Sequence, residues 1–330
     1  MLNLACTDNE DGAYPPGAII NLVGDKSAGK SLLALSGLAE TAIDSDNKKT
    51  RLIYDDAETA NNFNMKKLFG KILAKRIEEP DPSETIEDYT DRVHDLIDGD
   101  VPFIHVLDSF DMIGSEADIS KYLQAKEARD KRREGKEVKS KGSYGTGRAR
   151  GSAEFFRMKK KAIKTTDSLL MVISQVRENL DASGPWSPKH YRAGGKALDH
   201  NAFLVIWLAV IKQIVRQVNN RKRPVGQWVE AKVDKNKING KYRTVRFPVY
   251  YDYGVDDIGS IVHFLVDEKW WKKNKAGLYV AEELKLEGDK EELIRAVEEE
   301  GKEKELRMAA GRAWRAIESD FKMDRKRRFG

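Results

Sequence analysis

The chain has 330 residues, of which 40% are hydrophobic and 34% charged, with a formal net charge of +5. This is enough for one large core and a small appended domain, and the charge is too mild to name a partner. One cysteine, Cys6, excludes an intramolecular disulfide and a Cys-rich metal site; the histidines (His94, His105, His190, His200, His263) show no ligand spacing; no secretory leader or membrane-length apolar run is visible, so a cytoplasmic protein is expected.

Residues 17–23 are apolar and bounded by Pro15, Pro16 and Gly24, which reads as a buried strand ending in a glycine-rich loop. Residues 30–43 read as a helix. Further short apolar runs follow at 51–58, 101–109, 168–175 and 202–210, with helical stretches between several of them. Strands rich in Ile, Val and Leu that alternate with helices predict a mainly parallel sheet covered on both faces. Ligands collect at the carboxyl ends of such strands, which directs attention to Glu58, Asp108 and Gln175.

Two stretches interrupt the alternation. Residues 121–161 hold fifteen Lys/Arg against five Asp/Glu. They read as a flexible basic loop leading into a basic helix. Residues 177–197 read as a second long loop, rich in Gly, Pro and basic side chains. Long loops inside a compact domain are usually functional or disordered. From about residue 258 the texture changes to mixed helix and short strand. The expected division is therefore a core at 1–257 and a small α+β domain at 258–330.

The stretch "GDKSAGKS", Gly24 to Ser31, satisfies G-x-x-x-x-G-K-S/T at Gly24, Gly29, Lys30 and Ser31. Glycines let backbone N–H groups converge on phosphate oxygens, and the following helix start adds partial positive charge. The whole loop (Gly24, Asp25, Lys26, Ser27, Ala28, Gly29, Lys30, Ser31) is expected to hold ATP. Lys30 would reach the outer phosphates, and Ser31 would ligate Mg²⁺. Asp108 suits a second Mg²⁺ contact, or alternatively is a strand-ending Asp that caps a turn. Glu58 could orient and deprotonate a water, or alternatively is a solvated loop acid.

These pieces, in this order, resemble the RecA recombinase family. The resemblance rests on the phosphate loop, "DAE" (Asp56–Glu58), "LDS" (Leu107–Ser109), "ISQVRE" (Ile173–Glu178), "GGKALDHNA" (Gly194–Ala202), "KVDKNK" (Lys232–Lys237) and "FPVYYDYGVDDIGSIVHFLVDEKW" (Phe247–Trp270). Phage recombinases of the UvsX type are the nearer-looking branch. The resemblance implies a P-loop NTPase core with a parallel sheet. It implies Glu58 as the water-activating carboxylate beside Lys30, and Gln175 as a sensor linking the γ-phosphate to DNA. It implies DNA-binding loops at about 142–154 and 177–197, and Lys235 and Lys237 as lysines reaching a neighbouring subunit's ATP.

Within those loops Arg148, Arg150 and Arg177 are the phosphate-contacting candidates. Trp186 is the base-stacking candidate, and Gly194 and Gly195 permit close approach. Lys235 and Lys237, two apart on a strand-like segment, would share a face.

The pattern also departs from the family. The arm that docks on the next subunit has no counterpart before Gly24. Asp199-His200 stands where an aromatic is usual, residues 121–141 read as an insertion, and the C-terminal segment is basic (Arg325, Lys326, Arg327, Arg328) where the family's is acidic. The implied function is an ATP-dependent recombinase, a filament on single-stranded DNA that pairs it with double-stranded DNA. A regulatory paralogue without strand exchange and a helicase motor of the same fold are the alternatives.

Overall fold

The apolar run before Gly24 becomes the strand on which the sheet is built. In the computed structural model, residues 1–133, 146–178, 190–192, 195–321 and 323–325 are described. Among these residues no helix is long and apolar enough to cross a membrane.

By compactness the chain groups as Pro15–Leu208 and as Met1–Tyr14 with Ala209–Gly330. The division expected at 257/258 follows sequence texture. Met1–Tyr14 joins the later group because the short helix α1 (Leu2–Thr7) packs with the later strands β8 and β9 defined below.

The Pro15–Leu208 unit runs β1 (Ile19–Gly24), α2 (Lys30–Ile43), β2 (Arg51–Asp55), α3 (Met65–Arg76), β3 (Ile77–Glu78), α4 (Ile86–Asp98), β4 (Phe103–Leu107), α5 (Glu116–Arg133), α6 (Thr146–Thr165), β5 (Leu169–Glu178), β6 (His190–Arg192), α7 (Gly195–Asn201) and the start of β7 (Leu204–Val218). Its strands lie in the order β7-β1-β5-β4-β2-β3. All these neighbours are parallel, as alternation with helices requires.

Residues 19–24 are buried throughout, so this strand has no solvent face. One core cluster joins Ile86, Tyr89, Val93 and Leu96 of α4 to Phe155, Phe156 and Ile163 of α6, over Ile19, Phe103 and Leu170 of the sheet. Helix α2 packs against β1 and β5.

The second unit continues β7 and adds β8 (Arg221–Asn236), β9 (Thr244–Tyr250), β10 (Gly254–Val255), α8 (Asp257–Asp267), β11 (Lys272–Lys273), β12 (Tyr279–Ala281), β13 (Leu286–Gly288), α9 (Lys290–Glu300) and α10 (Glu303–Asp320). Here the pairing is antiparallel: β8 with β9, β9 with β10, and a small three-stranded sheet β11-β12-β13. The fold class is thus α/β, with a large, mostly parallel sheet and a small antiparallel sheet.

Several segments differ from expectation. Residues 116–133 are helix α5, not a loop: the stretch has no Gly or Pro and is dense in Ala, Lys, Arg, Glu and Gln, all good helix formers. Helix α6 starts at Thr146, so the described part of the 142–154 segment is helical. Its glycines serve packing. A Cβ at Gly147 would lie 2.3 Å from Ser115 Oγ, and one at Gly151 2.7 Å from Ile86 Cγ2. The ends of the 177–197 segment form a hairpin, Val176–Glu178 pairing with His190–Arg192. Strand β7 outlasts the apolar run at 202–210 and turns into β8 at Asn219-Asn220, both at positive φ (51° and 57°), as a type I′ turn demands.

A charge is buried beside the β2 terminus. Asp55 is fully buried, and its carboxylate accepts hydrogen bonds from Arg92 Nη1 (2.6 Å), Ser83 Oγ (2.6 Å) and Ser83 N (3.0 Å). His105 of β4, equally buried, stands edge-on to Tyr89 with ring centroids 5.3 Å apart, and its Nε2 lies 3.9 Å from Asp55 Oδ2. Burial pushes the imidazole below its ordinary 6.5; Asp55 opposes this and Arg92 adds to it. The unfolded chain therefore binds more protons than the folded one as pH falls below about 6.5, so stability present above that pH is lost on the acid side. Between pH 7 and pH 5 the native chain should lose about 2 kcal/mol more than His105→Leu. Urea unfolding of both at the two pH values checks this, and parallel losses would show that His105 titrates normally.

Candidate functional site

The loop between β1 and α2 is shaped by two glycines. A Cβ at Gly24 would come within 2.5 Å of the Leu208 carbonyl oxygen, so only glycine lets the end of β1 lie against β7. Gly29, at φ 82°, takes the left-handed conformation that admits the chain into α2. Asp25, Lys26 and Ser27 form the exposed tip, Ala28 is buried, and Ala28 N closes the turn on Asp25 O at 3.2 Å.

Lys30 is buried and folds back over this loop. Its Nζ donates to Gly24 O at 2.9 Å and Asp25 O at 2.8 Å. Burial pushes the ammonium pKa below its ordinary value, while Asp108, Glu58, Asp25 and Asp111 pull the other way.

Parallel register brings the other strand ends to this loop. Gly24 pairs with Gln175, and Leu107, one residue before Asp108, pairs with both Val172 and Asp55. Asp108 is nearly inaccessible, and Tyr54 donates its hydroxyl to Oδ2 at 2.7 Å. Burial raises the Asp108 pKa. Hydrogen bonding by Ser31, then Tyr54, opposes the rise, and the negative charges of Glu58 and Asp56 add to it. Ser31, in the first turn of α2, therefore lies beside both Asp108 and Tyr54.

Strand β2 stops at Asp55, so Glu58 sits in the turn beyond it rather than at its end. That turn is fixed to the next strand end: Asp108 N donates to Asp55 O and Glu58 N to Asp108 O, each at 2.9 Å. Glu58 Oε1 accepts from Gln175 Nε2 at 2.5 Å and from Ser109 Oγ at 2.8 Å. A carboxylate can only accept, so the Gln175 amide presents its nitrogen. Gln175 is held in turn through its backbone N–H, which donates to Asp111 Oδ2 at 2.5 Å.

Lys30, Ser31, Glu58, Asp108 and Gln175 thus converge at one sheet edge. Three participants were not anticipated: Tyr54, Ser109 and Asp111. Strand alternation was a signal for Tyr54, since it must face away from Asp55. Nothing local singled out Ser109 or Asp111.

The remaining expected residues are carried on β8 or just past its end, on α6, β5 and α7, or fall outside the described residues. Lys235 is the penultimate residue of β8 and Lys237 follows its end, so they are not a pair on one strand face. Between them Asn236 is buried; its Nδ2 donates to Cys6 O at 2.9 Å and its Oδ1 accepts from Ile238 N at 2.9 Å. Both lysines belong to the second compact unit. Arg148 and Arg150 fall on α6, where Arg150 is exposed. Arg177 is in β5 and Gly195 opens α7, whereas Trp186 and Gly194 lie outside the described residues.

The residues present fit a magnesium nucleotide. The loop offers backbone amides, a helix start and a lysine, all suited to phosphate. Ser31 and Asp108 offer one hydroxyl and one carboxylate, and no cluster of three His, Cys, Asp or Glu side chains able to hold a metal occurs among the described residues. That donor set suits Mg²⁺, which keeps several waters and shares phosphate oxygens.

Residues 7–256 match the family model of the RecA N-terminal domain. Similar proteins include Protein RecA of Phytoplasma mali, 24% identical over 273 residues (80% of this chain, 70% of that protein). The DNA repair protein recA homolog 3, mitochondrial, of Arabidopsis thaliana is 24% identical over 265 residues (80% and 55%). Protein RecA of Chloroherpeton thalassium is 26% identical over 259 residues (78% and 64%). The last two alignments span less than two thirds of the relative's own length.

Binding and turnover should be separable in this site. Lys30→Ala removes the charge aimed at the phosphates and should weaken nucleotide affinity. Glu58→Gln leaves the loop intact; it should bind ATP normally and lose about 100-fold or more in hydrolysis. Equilibrium nucleotide binding alongside phosphate release checks both. Normal turnover by Glu58→Gln would make Glu58 a solvated acid.

Proposed function

The chain belongs to the RecA family, and from that premise we propose that it is a DNA-dependent ATPase that coats single-stranded DNA and promotes homologous pairing and strand exchange. The observation that carries this reading is the Gln175–Glu58 hydrogen bond beside Lys30, Ser31 and Asp108.

Glu58 is the general base: its carboxylate takes a proton from the attacking water, and the bonds from Ser109 and Gln175 fix its position. Lys30 leaves its loop carbonyls to meet the outer phosphates, where it has a charge to neutralise in place of two dipoles. Ser31 and Asp108 would hold Mg²⁺, which when bound would neutralise negative charge on the phosphates. Gln175 shares its hydrogen bond between Glu58 and the nucleotide. Because Gln175 is in β5, which runs on to Glu178 and pairs with β6, any shift at the nucleotide reaches the 177–197 segment within three residues.

In this reading the basic density of 121–161 meets the DNA backbone through Arg148 and Arg150. Arg177 does so from β5, Trp186 stacks on bases, and Gly194 and Gly195 admit the strand closely. Lys235 and Lys237 act on the ATP of an adjacent copy, so the assembled filament completes each site. The ATPase core is residues 1–257 and the appended domain 258–330.

One assay tests the reading. Hydrolysis should be stimulated by single-stranded DNA of any sequence, and its rate per subunit should rise with protein concentration as neighbours supply Lys235 and Lys237. Arg148→Ala with Arg150→Ala should lower DNA affinity and flatten its dependence on salt, because fewer counterions are released. A rate indifferent to DNA would contradict the recombinase reading. A rate independent of concentration would remove the two lysines from the site, and an unchanged salt slope would make α6 an ordinary solvated basic helix.

A further inference from the structure

Tyr54 is 2% exposed, inside a sheet where phenylalanine would fill the same space without a polar atom to satisfy. Its hydroxyl has found one partner of consequence. It donates to Asp108 Oδ2 at 2.7 Å, and Ser31 lies nearby. These are the two residues that fit Mg²⁺, one from the end of β4 and one from the start of α2. Tyr54 bonds directly to the first and stands close to the second. Its neighbour Asp55 points to the opposite face of β2, where Arg92 and Ser83 hold it. The strand is thereby anchored on both faces next to the site. Its backbone is also tied to Asp108, whose N–H donates to Asp55 O at 2.9 Å.

We propose that Tyr54 is a positioning residue for Mg²⁺, its hydroxyl fixing the Asp108 carboxylate in the orientation the ion requires. The inference rests on the reading of Gly24–Ser31 as the ATP loop. A phenol rigidly mounted on a buried strand is suited to the task. It orders one carboxylate oxygen without adding a charge that competes with the ion, and groups that orient metal ligands in this way typically govern affinity about as strongly as a ligand's own geometry does. The competing account is that Tyr54 only fills the core.

The test is Tyr54→Phe, which keeps the ring and removes the hydroxyl. Binding of a fluorescent ADP analogue is titrated with Mg²⁺ for the native chain and the variant. Affinity in EDTA and the melting temperature without nucleotide are measured beside it. The half-saturating Mg²⁺ concentration should rise about 10-fold, with affinity in EDTA within about twofold of native because the phosphate loop is untouched. In an Asp108→Asn background the same substitution should produce no further rise, since its effect passes through the carboxylate.

An unchanged Mg²⁺ requirement, with or without a lowered melting temperature, would reduce Tyr54 to a core residue and overturn the proposal. So would an equal rise in the Asp108→Asn background. A native chain that binds the analogue without any response to Mg²⁺ would instead overturn the ATP-loop reading, and the role of Tyr54 with it.

Discussion

Everything at the site follows from the register of the parallel strands β1, β5, β4 and β2. Gly24 is opposite Gln175, and Leu107 is level with Val172 and with Asp55. In a parallel sheet all strands point the same way, so their carboxyl ends share one edge. A slip of one residue in any strand would reverse its side chains, sending Tyr54 to the Arg92 side and Asp55 to the Ser31 side. Both strand faces are buried here, and that burial holds the register against such a slip.

The same edge concentrates charge that burial makes costly. Lys30 and Asp108 are each shifted toward their neutral forms by loss of water; Lys30 is restored in part by the field of Asp108 and the other nearby carboxylates, and Asp108 by hydrogen bonding from Ser31 and Tyr54. The lysine meanwhile rests on two carbonyl oxygens of its own loop. Such a site gains by receiving a polyanion with a divalent cation. Phosphates would give Lys30 a full charge to pair with, and a cation would give Asp108 one. Glu58 is tied by two donors and a backbone bond, which fix its position.

Much of this was legible in the sequence because it is local. The helix expected at 30–43 is helix α2 at Lys30–Ile43, since glycine punctuation and an apolar, alanine-rich run leave little alternative. The strands were legible as apolar runs, but their ends were not. Strand β2 stops three residues before Glu58, and β7 runs eight past its apolar stretch into mixed polar and apolar residues that are mostly exposed. Local pattern misled in 142–154, read as part of a basic loop: Gly147 and Gly151 are small because Ser115 and Ile86 approach closely, a tertiary fact with no local trace. Basic character misled likewise in 121–133, where helix-forming side chains outweigh like-charge repulsion on a solvated surface. Glu58, Asp108 and Gln175 could be suspected singly as polar strand ends. That Gln175 bonds to Glu58, or that Tyr54 serves Asp108, depends on strand order, which no local pattern specifies.

The proposed function turns on Gln175, which would connect Glu58, the proposed general base, to the proposed DNA-binding segment that follows β5. Gln175→Ala, assayed for nucleotide affinity and for hydrolysis with and without single-stranded DNA, addresses it most directly. The account predicts that the phosphate loop keeps its affinity while stimulation by DNA is lost, because Glu58 retains Ser109 but no longer has a partner on β5. Stimulation equal to that of the native chain would contradict it.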